Sequence, residues 1–387
     1  MSVNKKLFWL IYLLGFLLAV ATALPSYIQS SFLSQFVTLE HMGWYVVVAN
    51  IFTLFAIFAF PKFIKLYSNY RVMLFLLGVN FLTVILLIRA SQPLVVLFFY
   101  VIVYVSLILL AINLDVFLEN VSDDEHTGRI RTTFLTIMNL GWVISPLLMG
   151  YLTGEGNRYW LVYLVSGVVL IPVAIILFTQ RAIMIDHVKY RNRHLRQMLT
   201  IMKTRVNLRK IFSITFTLRF FYALMVLYVP IYLHEHIGFT WGELGIMFTV
   251  MLLPFIIFEL PAGNLADRYL GEKEIMVTGF LIMMVSVGSI FFIDSKSFFV
   301  WMAVLFMTRV GAALVEAMQE AYFFKMVDSS DMDLINLFRD LKPAAWLAGS
   351  LVSVLVLKFL PLQYLFLLLA LVILINLRPT LTLEDTK

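Results

Sequence analysis

The sequence predicts an all-α integral membrane protein, with twelve transmembrane helices in two pseudo-symmetric six-helix bundles. Three observations carry this expectation. Of 387 residues, 62% are apolar and only 13% are charged, and the mean hydropathy of +0.94 exceeds what a core wrapped in polar surface requires. Twelve apolar stretches recur along the chain. Landmarks of the first six reappear about 205 residues later in the second six.

A spanning helix needs roughly 20 apolar residues, and stretches of this kind run over 7–24, 43–60, 71–90, 93–118, 132–153, 159–180, 211–233, 241–262, 274–293, 297–327, 342–360 and 361–378. The first follows Lys5 and Lys6 in the manner of a signal peptide. Leu24-Pro25-Ser26 then runs into more apolar sequence without an A-x-A-like site, so it reads as a retained helix. No large soluble domain fits beside twelve spans. With no cysteine there is no disulfide framework, thiolate nucleophile or cysteine metal site. An even number of spans returns both termini to one side. With that side as cytoplasm, 23 of the 29 Lys and Arg are cytoplasmic, Arg89, Arg158, Lys296 and Lys358 lie outside, and Arg219 and Arg309 fall within helices. The positive-inside rule therefore predicts both termini in the cytoplasm, and the membrane expected is a bacterial-type cytoplasmic (inner) one.

Residues 181–210 hold nine Lys and Arg, among them Arg191, Arg193, Arg196, Lys203 and Arg205, against the single acid Asp186. Placed between spans, this is a basic linker drawn to anionic lipid headgroups rather than a nucleic-acid site. It separates an N-terminal bundle, 1–180, from a C-terminal bundle with a short cytoplasmic tail, 211–387. Pro25-Ser26-Tyr27 and Pro230-Ile231-Tyr232 stand 205 apart, as do Asp115 and Glu320, while Gly43 and Gly245, and the turns expected from Pro61 and Gly263, stand 202 apart. Duplication of six helices is the parallel-repeat plan of one large transporter class.

The most specific segment, Glu259-Leu-Pro-Ala-Gly-Asn-Leu-Ala-Asp-Arg-Tyr-Leu-Gly-Glu-Lys273, joins the eighth and ninth spans. Gly263 would let two helices approach, Asp267 can accept hydrogen bonds at a helix N-terminus, and Gly271 permits a tight turn. The run closely resembles the signature loop of the major facilitator superfamily, with Arg268 after the acid. That resemblance implies the superfamily's fold and a cytoplasmic gate at this loop. It also implies gate pairing of acids at the inner ends of helices 4 and 10 with arginines opening helices 5 and 11: Asp115 or Glu119 with Arg129 or Arg131, and Glu320 with Arg339. The first-half loop, Pro61 to Arg71, departs from the pattern, since Lys65 stands where the acid belongs. Gly141-Trp-Val-Ile-Ser-Pro146-Leu-Leu-Met-Gly150 on helix 5 is similar to the Gly-Pro-Gly run of bacterial efflux members, with plain helix packing as the other reading.

Charges within a bilayer are costly and mark function. Arg309, Glu316 and Glu320 stand at i, i+7 and i+11, within about 40° on a helical wheel, so one face of helix 10 is charged. Glu316, with Arg309, is the coupling candidate, and a static ion pair of Glu316 with Arg309 or Arg219 is the other reading. Arg219 and Tyr222, three residues apart on helix 7, share a face and could bind an anionic or aromatic substrate, with an ion pair between Arg219 and helix 10 as the other reading. The first half offers neutral groups at depth: Tyr27, Gln29, Asn50, Thr53, Asn113 and Asn139. Most are expected to bond between helices, and Tyr27, Asn50 and Asn139 are the cavity candidates.

His234 and His236 flank Glu235 without further ligands nearby in sequence, and Walker, Ser-His-Asp and HExxH patterns are missing. The expectation is a non-enzymatic, monomeric secondary transporter with no cofactor or metal. It would move a small organic molecule by alternating access, with protons and membrane lipids as its other partners. Export coupled to protons is favoured by helix 5 and by the 35 Phe and 17 Tyr. Metabolite uptake by symport or uniport is the alternative, and a transporter-like receptor or lipid-handling protein is a third.

Overall fold

The computed structural model describes residues 2–121, 127–180, 205–266, 270–327 and 332–384. Among them twelve helices are long and apolar enough to cross a membrane: α1 Leu7–Ser26, α2 Leu39–Tyr67, α3 Asn69–Leu87, α4 Pro93–Leu118, α5 Thr133–Thr153, α6 Tyr159–Thr179, α7 Val206–Ile237, α8 Trp241–Gly263, α9 Glu272–Ile290, α10 Phe298–Met326, α11 Asp340–Leu357 and α12 Tyr364–Leu381. They match the predicted apolar stretches one for one. Large apolar side chains such as Phe55, Phe75, Phe98, Phe292 and Phe299 stand exposed on these helices, a surface suited to lipid and not to water.

Contacts divide the chain into two compact units, one holding the helices up to Thr179 together with Thr240–Ile246, the other holding the rest from Val206 onward. The duplication is visible in helix pairing. In the first unit α1 packs on α4, α5 and α6, α4 packs on α2 and α3, α3 on α6, and α5 on α6. In the second, α7 packs on α10, α11 and α12, α10 on α8 and α9, α9 on α12, and α11 on α12. Each of these pairs is the earlier pair moved on by six helices. The helix that leads each half therefore sits inside its unit, and α7 is buried over most of its length although it carries Arg209, Lys210 and Arg219.

Local chemistry sets the ends of the elements. Thr240 and Glu243 open α8 as a reciprocal cap: the Glu243 N–H donates to Thr240 Oγ1 at 3.3 Å and the Thr240 N–H donates to Glu243 Oε2 at 2.8 Å. Pro254 and Pro261, each lacking an N–H, interrupt α8, which runs as Trp241–Leu252, Pro254–Ile257 and Glu259–Leu265. At the end of α7 the wide turn Tyr232–Ile237 stops at Gly238, whose φ is +83°. His234 lies in that turn, its ring Nδ1 2.8 Å from the Phe239 carbonyl.

Neither expected turn begins where the sequence suggested. Pro61 lies inside α2 and Gly263 inside α8; the chain reverses later, at Ser68 (φ 73°, ψ 149°) and at Gly271 (φ 88°, ψ 160°). These two residues open α3 and α9 in nearly the same conformation, 203 positions apart. The repeat is thus more faithful in backbone than in side chain, since serine fills a site that glycine suits.

Candidate functional site

Within the second unit, α7 and α10 pack together and bring their charged residues to one place. Arg219 Nη1 donates to Glu316 Oε1 at 2.7 Å, and the Tyr222 hydroxyl donates to Glu316 Oε2 at 2.7 Å. One carboxylate thus takes two strong bonds from residues three apart on α7, the spacing that puts both on one helix face. Arg219 also approaches Glu320, with Nη2 3.9 Å from Oε1. The pair is only part-buried: the Arg219 and Glu316 side chains keep 20% and 22% of their exposure.

Arg309 lies deeper, at 1% exposure. Its guanidinium carbon sits 4.9 Å from the Phe221 ring centre and 5.5 Å from that of Tyr222. Cation–π contacts of this kind contribute about 0.5–2 kcal/mol each but accept no hydrogen bond in the plane of the guanidinium. Nε and Nη1 are buried without a partner among the described residues, and so are both amide atoms of Gln319 on the same helix. Unpaired N–H groups on a buried cation cost several kcal/mol. The sequence left the partner of Glu316 open between two arginines; in the structure it is Arg219, with Tyr222, and Arg309 stands free of any carboxylate among the described residues.

The neutral residues of the first unit are mostly occupied. Asn50 donates to the Val46 carbonyl at 2.9 Å and accepts from the Tyr104 hydroxyl at 3.4 Å. Gln29 accepts from Tyr100 at 2.9 Å, and Thr53 bonds its own helix at Ala49. Tyr27 is buried, while Asn139 is half-buried. None of these comes together into a charged group like that on α7 and α10.

A scan against protein-family models matches the Major Facilitator Superfamily over residues 7–243 and again over 211–384. The chain belongs to the major facilitator superfamily. It is a multi-pass membrane transporter of that family. No curated protein matches the sequence significantly. Solved structures share the fold at low identity. A bacterial homologue of the human lysosomal transporter Spinster, inward-facing and unoccupied, aligns with a TM-score of 0.71 and 9% identity over 99% of each chain. A bacterial homologue of the iron transporter ferroportin, inward-facing, gives 0.75 and 15% over 98% of each. The nucleoside transporter NupG gives 0.75 and 14% over 98% of this chain and 100% of its own.

The superfamily's signature loop is only partly described. Asp267 and Arg268 lie outside the described residues, as do the side chains of Glu119, Arg131 and Arg339. Gly271 makes the tight turn expected of it. Gly263 does not make the close approach expected: a methyl group there would meet no atom of the described residues within 4 Å. The close approach lies instead between α9 and α10, where a methyl on Gly279 would stand 2.8 Å from the Gly311 carbonyl oxygen. On α5, a methyl on Gly141 would stand 2.9 Å from Ala19 Cβ of α1, and Gly150 abuts Trp241 and Gly245 within the same unit. Helix packing thus uses both glycines at the ends of that run. Asp115 is half-buried on α4.

Sequence reasoning missed a polar clamp repeated beside each turn. Asn69 opens α3, fully buried, and donates to the Asn113 carbonyl of α4 at 3.0 Å, while Asn113 Nδ2 donates to Asn69 Oδ1 at 2.6 Å. Its counterpart Glu272 opens α9 at 2% exposure and is salt-bridged by Lys325 of α10. Each residue directly follows its turn residue, and the two stand 203 apart, a match that emerges once the turns at Ser68 and Gly271 are placed.

Proposed function

We propose that the chain is a proton-coupled secondary transporter, moving a small organic molecule across a cytoplasmic membrane by alternating access, with Glu316 as the coupling carboxylate. The observation that carries this reading is the closed group in which Arg219 and Tyr222 both bond Glu316. Proton uptake by Glu316 removes the charge that holds Arg219, so one proton changes both the charge and the side-chain geometry of the site. That is the differential interaction a coupling ion needs in order to bias a two-state carrier. The charge distribution supports cytoplasmic termini, and the basic composition of 181–210, of which 181–204 lie outside the described residues, suits anionic headgroups.

Export is the direction the α5 run suggests, and it requires substrate and proton to compete for the site. A second reading, uptake by symport, is favoured by the Arg219–Glu316 bond itself, because protonation there frees a cation and helps a negatively charged group to bind. A screen of the purified protein for compounds that raise its melting temperature at two pH values supplies the substrate. Glu316→Gln, which mimics the protonated state, should then keep counterflow exchange in proteoliposomes and lose accumulation driven by a pH gradient. Undiminished gradient-driven accumulation by a stably folded variant would remove Glu316 from the mechanism.

A further inference from the structure

The charges on α7 and α10 do not balance locally. Glu316 is taken by Arg219 and Tyr222, Glu320 is reached by Arg219 and is 39% exposed, and Arg309 has no acid beside it among the described residues. A guanidinium at 1% exposure with two orphaned nitrogens is a site built for an acceptor that the described residues do not supply. Phe221 and Tyr222 wall it with apolar ring surface, which water and small hydrated ions do not need. We infer that the transported molecule is an organic anion, and that Arg309, enclosed by Phe221 and Tyr222, receives its negative group. This rests on the proton-coupled transport proposed above and supplies the substrate class for that same site.

Access follows from the same contacts. Tyr222 stands over Arg309 and is held by Glu316. When Glu316 is protonated the hydroxyl loses its charged acceptor, the ring can turn aside, and Arg219 becomes a second cation for the entering anion. Proton and anion then bind together, which is the sign of symport. The groups around Glu316 are few. Arg219 and Tyr222 face it from α7, and Arg309 and Glu320 share its own helix. The packed stretches Met247–Phe258 of α8 and Ile275–Ile290 of α9 carry no charged or titratable side chain, and Glu272 at the head of α9 is salt-bridged by Lys325.

The test uses the purified full chain in detergent, with benzoate as the organic anion, benzamide as its uncharged counterpart and chloride as an inorganic anion, read by melting temperature. Benzoate should stabilise the wild type saturably and more at low pH, while benzamide and chloride should not. Arg309→Gln should weaken the benzoate response about tenfold or more. If Arg309→Gln does not fold, Arg309→Lys decides, since it should keep the preference for benzoate over benzamide with lower affinity. Equal effects of benzoate and benzamide, a chloride effect as large as that of benzoate, no response to any of the three, or a full benzoate response in Arg309→Gln would each overturn the inference. The coupling proposal fails separately. It falls if benzoate binds Arg309 equally at every pH, and it stands if gradient-driven transport persists through Glu316 for a substrate without negative charge.

Discussion

Ser68 offers a stability prediction that can be worked from backbone geometry alone. Its φ of 73° with ψ of 149° lies in a region that side chains with a Cβ rarely enter, at a strain of about 1–3 kcal/mol. The serine is exposed, and its side chain makes no hydrogen bond among the described residues. Replacing it with glycine therefore removes strain and loses no contact. Against this stands the greater freedom of glycine in the unfolded chain, about 0.5–1 kcal/mol. Ser68→Gly should stabilise the protein by about 0.5–2 kcal/mol. Gly271→Ser, the reciprocal change at φ 88°, should destabilise it by at least as much. The assay is the melting temperature and chemical-denaturation midpoint of both variants in the same detergent. A destabilised Ser68→Gly would refute the assignment of the turn, and with it the claim that both halves reverse at equivalent positions.

Three further outcomes follow from packing, charge and topology. Gly279→Ala and Gly311→Ala should each cost about 1–3 kcal/mol by forcing α9 from α10, with the double variant non-additive, whereas Gly263→Ala should be neutral or stabilising by about 0.5–1 kcal/mol; denaturation midpoints check all four. Lys325→Met should leave Glu272 buried without its cation and cost about 1–3 kcal/mol, below the value for a fully buried pair because Lys325 is half-exposed, and adding Glu272→Gln should restore the melting temperature. The chain has no cysteine, so a cysteine at Ser295 should react with impermeant reagent in intact cells and one at Tyr67 only after lysis; labelling at 67 from outside would invert the proposed orientation.

The fold was legible because the bilayer dictates it. Twenty-residue apolar runs leave the chain no choice but helices, and each of the twelve predicted runs is one helical span. Duplication was legible too, but its best markers are backbone turns and not the prolines and glycines that stand out in sequence. Pro61 and Gly263 were read as turns, yet both are helical, because proline is tolerated where the preceding helix face is free and glycine does not by itself end a helix in an apolar setting. The turn residues Ser68 and Gly271 differ chemically, so only their dihedral angles reveal the match. The charged site was half legible. Spacing put Arg219 with Tyr222, and Arg309 with Glu316, on common faces. Which arginine takes the carboxylate depends on the relative rotation and height of α7 and α10, a tertiary quantity that one helix period cannot encode. Polar residues of the first half looked like cavity groups in sequence because depth alone was visible, whereas Asn50 and Gln29 spend their bonding capacity on Tyr104 and Tyr100.

Coupling of proton movement to substrate movement through Glu316 can be read directly in proteoliposomes carrying an internal pH indicator and no imposed gradient. Adding the compound found by the thermal screen to one side should shift the internal pH in the wild type, acidifying if proton and substrate travel together and alkalinising if they exchange, and should leave it unchanged in Glu316→Gln at matched protein and preserved counterflow. Substrate entry by the wild type without any proton movement would contradict the account.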